Sequence, residues 1–288
     1  MKRILLAAGG TGGHLFPAFA LAEELKRRGH EVHIVTDERV DQFSGEVPVD
    51  AMHVVRSATL KGKNPLALFK TAYALWSGIL QARKLLRKIK PDFVLGFGGY
   101  PTFPPLMAAG QLKIKTGLHD QNAVMGRANR LLAKRVDVIA TSFEEVKFLP
   151  ETCLSKVRLT GNPVRQKVLD VKDAAYPLDA DGQFAGPFQI LIFGGSQGAR
   201  FFSDFFPAAL AEMEEEVRSK ITIVQQCREE DLDRVQTLYE YSGIKARCES
   251  FFSDLPQIMS QSHLVIGRSG ASTVAELAVC GRPAIMVP

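Results

Sequence analysis

Ile4-Leu5-Leu6-Ala7-Ala8-Gly9-Gly10-Thr11-Gly12-Gly13-His14 opens the chain with a short apolar run, a glycine-rich turn and the start of a helix. The same order of parts returns twice. Phe93-Val94-Leu95 runs into Gly96-Phe97-Gly98-Gly99-Tyr100, and Ile190-Leu191-Ile192-Phe193 runs into Gly194-Gly195-Ser196-Gln197-Gly198-Ala199-Arg200. A strand ending in glycines at a helix start exposes backbone N–H groups to an anion. Glycine adopts positive φ and leaves room for phosphate oxygens where a side chain would collide. A single loop of this kind is compatible with an ordinary tight βα turn. Three of them, two in the first half and one in the second, point to a cleft holding two phosphorylated ligands.

Outward from these loops, strands and helices alternate. After the strand at 3–8, Phe19, Leu21, Ala22 and Leu25 mark a helix over 16–28 that stops at Gly29. Further strands are expected at 32–35, 52–55, 116–119, 136–141 and 157–160, with a long helix over 65–89. Alternation of this kind predicts a parallel sheet with helices on both faces. Residues 170–187 are polar and carry Pro177, Gly182, Gly186 and Pro187, so they read as a connector. A second series follows, with strands at 190–193, 221–225, 245–249, 264–266 and 284–287. The expected division is 1–163 and 164–288. The second domain is expected to be incomplete, because its series ends on a strand at Pro288 without covering helices.

Composition narrows the class. At 288 residues and 46% hydrophobic content the chain can bury two cores. Cys153, Cys227, Cys248 and Cys280 are scattered without a CxxC pair, which argues against a zinc site or disulfide scaffold and fits a reducing cytosol. The opening apolar run is too short for a signal peptide, and no run of about 20 apolar residues is present to span a bilayer. Up to Pro163 there are 24 Lys and Arg against 14 Asp and Glu, whereas the remainder has 12 against 17. Between Asp50 and Asp92 nine basic residues occur with no acidic one: Arg56, Lys61, Lys63, Lys70, Arg83, Lys84, Arg87, Lys88 and Lys90. Such a patch suits an anionic surface, phospholipid or nucleic acid.

The helix over 65–89 carries more apolar surface than one buried face needs, including Leu68, Phe69, Tyr73, Leu75, Trp76, Ile79 and Leu80. It reads either as a core-facing amphipathic helix or as one that rests on a bilayer. His14 follows the first glycine loop, where an imidazole is a candidate base near neutral pH or a cap for backbone groups. His119-Asp120-Gln121-Asn122 follows a strand end and supplies donors, an acceptor and a possible base. Arg268-Ser269-Gly270-Ala271-Ser272-Thr273-Val274-Ala275-Glu276 is a further anion-friendly helix start. Glu276, one turn in, is placed for two ribose hydroxyls or simply for solvent. The triplets Asp179-Ala180-Asp181 and Asp231-Leu232-Asp233 lie away from strand ends, and no essential metal site is expected.

Together these stretches, with Gly126 and Gly161-Asn162-Pro163-Val164-Arg165, resemble in order the MurG family of peptidoglycan N-acetylglucosaminyltransferases, which convert lipid I to lipid II. The resemblance implies the GT-B fold, two Rossmann-like doubly wound domains facing a cleft. It implies UDP-N-acetylglucosamine as donor, lipid I as acceptor, an anionic membrane surface rather than nucleic acid as partner, and a peripheral place on the cytoplasmic face of the bacterial inner membrane. The first domain would take acceptor and membrane, the second the UDP-sugar. By the same resemblance His14 is the base, with Asp120 beside it where the family usually has glutamate. Thr11, Gly12, Gly13, Asn122, Arg165, Ser196, Phe252, Arg268 and Ala271, Ser272, Thr273, Val274, Ala275 and Glu276 would serve the UDP-sugar. Gly98, Gly99 and Tyr100 would hold the acceptor pyrophosphate, and Leu68, Phe69, Leu75, Trp76 and Ile79 would meet the membrane. Thr102 and Phe103 depart from the usual serine and small residue, and the family continues beyond 288 with a glutamine-containing donor segment and a terminal helix. The rival expectations are a UDP-sugar epimerase or soluble GT-B enzyme, and a UDP-sugar binder without turnover.

Overall fold

The computed structural model describes residues 1–9, 12–37, 49–57, 65–184, 186–194 and 200–288, with the side chains of 65–70 excepted. Its contacts divide into two units, Met1–Arg165 and Gln166–Pro288. The division falls two residues past the expected one, so Val164 and Arg165 belong to the first unit.

Unit 1 is a seven-stranded parallel sheet in the order β3-β2-β1-β4-β5-β6-β7. The strands are β1 (Arg3–Ala7), β2 (Glu31–Thr36), β3 (Ala51–Val54), β4 (Phe93–Gly96), β5 (Lys115–Asp120), β6 (Val138–Thr141) and β7 (Val157–Leu159). Helices α1 (Gly12–Arg27), α2 (Pro65–Ile89), α3 (Phe103–Gln111) and α4 (Arg127–Leu132) connect them. The near-continuous apolar character of β1 and β4 follows from burial on both faces. One core packs Leu6, Leu15, Phe19 and Phe97 beneath α1, and the other packs Leu5, Leu86, Leu106, Leu118 and Met125 beneath α2 and α3.

The first helix starts at Gly12, four residues before the expected position, so Gly12 and Gly13 form its first turn rather than a loop ahead of it. Helix α3 was not anticipated. Pro104 and Pro105 stand in the first turn of α3, where their missing N–H groups have no intrahelical partner to lose.

Unit 2 is a five-stranded parallel sheet in the order β10-β9-β8-β11-β12. Its strands are β8 (Phe188–Phe193), β9 (Ile221–Gln226), β10 (Lys245–Glu249), β11 (Leu264–Arg268) and β12 (Ala284–Val287). Helix α5 (Gln166–Leu169) precedes them, and α6 (Arg200–Ala211), α7 (Glu215–Arg218), α8 (Leu232–Tyr241), α9 (Leu255–Gln261) and α10 (Ala271–Cys280) join them. Ile192, Phe202, Ile223, Val235 and Tyr239 fill its core. Both DxD triplets have structural partners. Asp179 accepts from the Asp181 and Gln183 N–H groups in a turn, and buried Asp231 accepts from Arg234 at 2.8 Å. Among the described residues no group of three His, Cys, Asp or Glu side chains gathers as a metal site.

Candidate functional site

In a doubly wound sheet the order reverses beside the first strand, and a crevice opens there at the carboxyl ends of the strands. In unit 1 that point lies between β1 and β4, and in unit 2 between β8 and β11. All three glycine loops and the 268–276 segment leave from these four strand ends.

The unit 1 crevice is built by close approach of its two loops. A Cβ on Gly9 would collide with the Pro101 ring. Gly98 has φ +99°, and a Cβ there would stand 3.0 and 3.1 Å from Cε1 and Nδ1 of His14. Only glycine combines that backbone conformation with that clearance. The buried Thr102 hydroxyl lies 3.1 Å from the Ala7 carbonyl and 2.7 Å from that of Gly98, tying β1 to the second loop. The departure to threonine therefore keeps a hydroxyl, and its methyl occupies the space over Gly96.

His14, half-buried in the first turn of α1, reaches across this floor. Its Nδ1 is 3.0 Å from Gln121 Oε1, and Gln121 Nε2 is 3.0 Å from Nδ1 of His119. His119 Nε2 meets the Gly161 carbonyl at 2.9 Å. The His119 ring is buried against Phe97, with centroids 5.4 Å apart. Burial lowers its pKa, outweighing the opposing pull of the Gly161 carbonyl and of Asp120. Gln121 was quoted only as part of a motif. Its partner His14 is 107 positions away, and no local pattern signals that contact.

Asp120, expected beside the base, sits in a hydrogen-bonded turn of its own. Its buried carboxylate accepts the N–H groups of Asn122 at 3.1 Å and Gly126 at 3.0 Å, and the Asn129 amide at 2.9 Å. Those three donors engage both of its oxygens and close the turn that presents Asn122. Asn122 itself is exposed, and Tyr100 is half-buried. Arg165 lies with its guanidinium 4.4 Å from the Phe16 ring centroid, so it borders this crevice within unit 1.

In unit 2, Arg268 is the last residue of β11 and is exposed. Ser269 and Gly270 lead into α10, whose first turn holds Ala271, Ser272 and Thr273. That first turn carries the positive end of the helix dipole. Ala275 is half-buried and Val274 exposed, while Glu276 is buried on the same helix. Phe252 follows β10 with its side chain buried under the Arg247 guanidinium, 5.0 Å from the ring centroid. Its ring thus anchors the segment.

Residues 4–141 match the Glycosyltransferase family 28 N-terminal domain and residues 189–288 match the family's C-terminal domain. The chain belongs to glycosyltransferase family 28. Among curated family members, the UDP-N-acetylglucosamine--N-acetylmuramyl-(pentapeptide) pyrophosphoryl-undecaprenol N-acetylglucosamine transferase of Allorhizobium ampelinum is 51% identical over 99% of this chain and 75% of its own length. The transferase of the same name from Brucella anthropi is 52% identical over the same shares. Among solved structures, Acinetobacter baumannii MurG superposes with a TM-score of 0.70 at 27% identity, covering all of this chain and 78% of that one. The UDP-GlcNAc 2-epimerase of Neisseria meningitidis reaches a TM-score of 0.67 at 19% identity, covering 99% of this chain and 82% of that one, and shows a shared fold.

Of the residues that the family pattern singles out, His14, Gly98, Gly99, Tyr100, Asn122 and Arg165 stand about the unit 1 crevice. Arg268 and Ala271–Glu276 stand at the unit 2 switch point. Thr11 and Ser196 lie outside the described residues, as do the side chains of Leu68 and Phe69. On α2, Tyr73, Trp76 and Leu80 are exposed at 58%, 59% and 45%, whereas Ile79 packs against the core and Leu75 is half-buried. Ile79 therefore faces inward, and the outward apolar row is Tyr73, Trp76 and Leu80, at i, i+3 and i+7.

Proposed function

We propose that this chain is an inverting glycosyltransferase that moves N-acetylglucosamine from UDP-N-acetylglucosamine to the C4 hydroxyl of undecaprenyl-pyrophosphoryl-N-acetylmuramyl-pentapeptide. The observation that carries this reading is 51–52% identity along 99% of the chain to transferases named for that donor and acceptor. The acceptor side falls to unit 1 and the donor side to unit 2. His14 takes the proton of the acceptor hydroxyl as its oxygen bonds to the anomeric carbon. The anomeric C–O bond to the diphosphate breaks, and its electron pair leaves with UDP. The proton passes from His14 to solvent after transfer. Arg268 and the N-terminus of α10 meet the charge developing on the diphosphate. Glu276 accepts the ribose hydroxyls, and the backbone at Phe252 reads the uracil edge. Glycines 98 and 99, with Tyr100, bind the acceptor pyrophosphate.

The enzyme is further inferred to work as a peripheral protein on the cytoplasmic face of the inner membrane. The exposed Tyr73–Trp76–Leu80 row and the neighbouring exposed Lys84, Arg87 and Lys88 support that place. Among the described residues, no helix is long and apolar enough to cross a membrane. Incubation with radiolabelled donor and a short-chain lipid I analogue tests the activity. Label appearing on the acceptor supports transfer. Interconversion of the nucleotide sugar without acceptor would mark an epimerase, and donor binding without either product would mark a binder.

A further inference from the structure

The hydrogen bonds from Gly161 to His14 can run in only one direction. A backbone carbonyl only accepts, so His119 must donate from Nε2 to Gly161. Its Nδ1 in the neutral ring is then an acceptor, and only the NH2 end of the Gln121 amide can face it. That same amide group also points at the His119 carbonyl, 3.3 Å away, a second acceptor. The orientation leaves Gln121 Oε1 toward His14, and an amide oxygen only accepts. His14 must therefore carry its proton on Nδ1. Reversing any member would set two lone pairs against each other at about 3 Å in a buried site, which is costly.

We propose that Gln121, oriented by His119, is a positioning residue that holds His14 as the Nδ1–H tautomer and so offers Nε2 as the lone-pair nitrogen that takes the acceptor proton. This rests on the reading of His14 as the base. The arrangement is anchored at a backbone atom, so thermal rotation of one side chain does not erase it. Burial of His119 favours its neutral form, which the chain of donors needs. Gln121 is 1% exposed and Gly98 closes the space beneath the imidazole, so the ring is fixed in plane as well as in protonation. Among the described residues, charged neighbours of this chain include Asp120, whose carboxylate accepts three hydrogen bonds within its own turn, and Arg165, whose guanidinium lies over Phe16. A free histidine side chain, unlike symmetric imidazole, favours the Nε2–H tautomer, so without Gln121 most neutral His14 rings would turn the wrong nitrogen to the substrate.

The tautomer is directly measurable. Long-range ¹H–¹⁵N spectra of the whole protein, with His14→Gln used to assign one of the six histidines, should show His14 protonated on Nδ1 and His119 on Nε2. Gln121→Met, similar in volume but without either hydrogen bond, should move His14 toward the Nε2–H form. The same variant should lower kcat by ~10–100-fold, below the full contribution of a general base, at an unchanged donor KM. Gln121→Glu keeps an acceptor for His14 but turns its second carboxylate oxygen toward the His119 Nδ1 lone pair, so it should keep the Nδ1–H form of His14 in the spectrum, lower stability, and move the acid limb of kcat/KM to higher pH through the added charge. Native His14 in the Nε2–H form would overturn the proposal even if every variant failed to fold. So would a Gln121→Met enzyme with native kcat. His14→Ala judges the base assignment separately: near-normal turnover there sinks that reading, whereas the spectrum judges the tautomer by itself.

Discussion

Three side chains that look alike in sequence, each a polar residue after a strand, separate into three tasks once their partners are known. His14, half-buried, meets Gln121 through its Nδ1. Its loss to alanine should lower kcat by about 10²–10⁴, the range for a general base, with donor affinity unchanged by calorimetry. Asp120 accepts three hydrogen bonds within its own turn. Asp120→Ala strands three donors in a buried turn and should cost about 2–4 kcal/mol of stability, read as a lower urea midpoint. Glu276 is buried on α10 near its N-terminal turn. Glu276→Ala should weaken UDP-N-acetylglucosamine binding by about 1–3 kcal/mol, and unchanged affinity would remove it from the donor site. The place of His14 in the first turn of α1 was legible because a glycine loop precedes it. The inward task of Asp120 was not, because its Asn129 partner is set by the path of the chain after β5 rather than by any motif.

Parallel sheets need their strand starts secured at the end opposite the ligands, and unit 1 repeats one device there. Asp50, Asp92 and Asp137 each stand just before a strand, and each donates its own N–H to the neighbouring strand's first carbonyls, at Val32, Arg3 and Thr116. Each carboxylate accepts the N–H of that same residue at 2.7–2.8 Å, and Lys26, Lys2 and Lys115 respectively bond the other oxygen. All three carboxyls are held below the usual aspartate value, Asp50 chiefly by Lys26, Asp92 and Asp137 chiefly by the strand N–H. A depressed folded value means stability that is complete above about pH 4 and lost as pH falls further, because the unfolded chain then binds more protons. Urea midpoints should therefore hold between neutrality and about pH 5 and drop below pH 4. Asp92→Asn and Asp137→Asn should flatten that drop, and an unchanged acid slope would show that these pairs do not govern it. The strands themselves were legible as apolar runs ahead of glycines. These aspartates were not, since their role appears only when strand order puts β4 beside β1 and β6 beside β5.

At the scale of the whole chain the charge is divided as the sheets are. Basic residues exceed acidic ones up to Pro163, and the balance reverses after it. An anionic bilayer would therefore attract unit 1 and repel unit 2, which orients the protein before any apolar contact forms. The proposed contact falls to α2, where Tyr73, Trp76 and Leu80 are exposed beside Lys84, Arg87 and Lys88. The sequence showed this helix to its ends, but not which of its apolar residues face out, because Ile79 and Trp76 fit the same pattern until packing against the first core separates them. Trp76 is the only tryptophan, so its emission reports that face alone. In buffer it should emit as a water-exposed indole. Vesicles containing anionic lipid should shift the emission to the blue, and neutral vesicles should shift it less. Each basic residue near the surface contributes on the order of 1 kcal/mol, and raising salt from about 0.1 M to about 1 M shortens the screening length from about 10 Å to about 3 Å. Binding should accordingly weaken with salt while the blue shift of the bound fraction stays the same. Trp76→Ala should lose lipid affinity and keep transfer to a short-chain, water-soluble acceptor. If Trp76 emission ignores anionic lipid at low salt, the exposed row on α2 serves something other than a membrane, and the peripheral location loses its physical support.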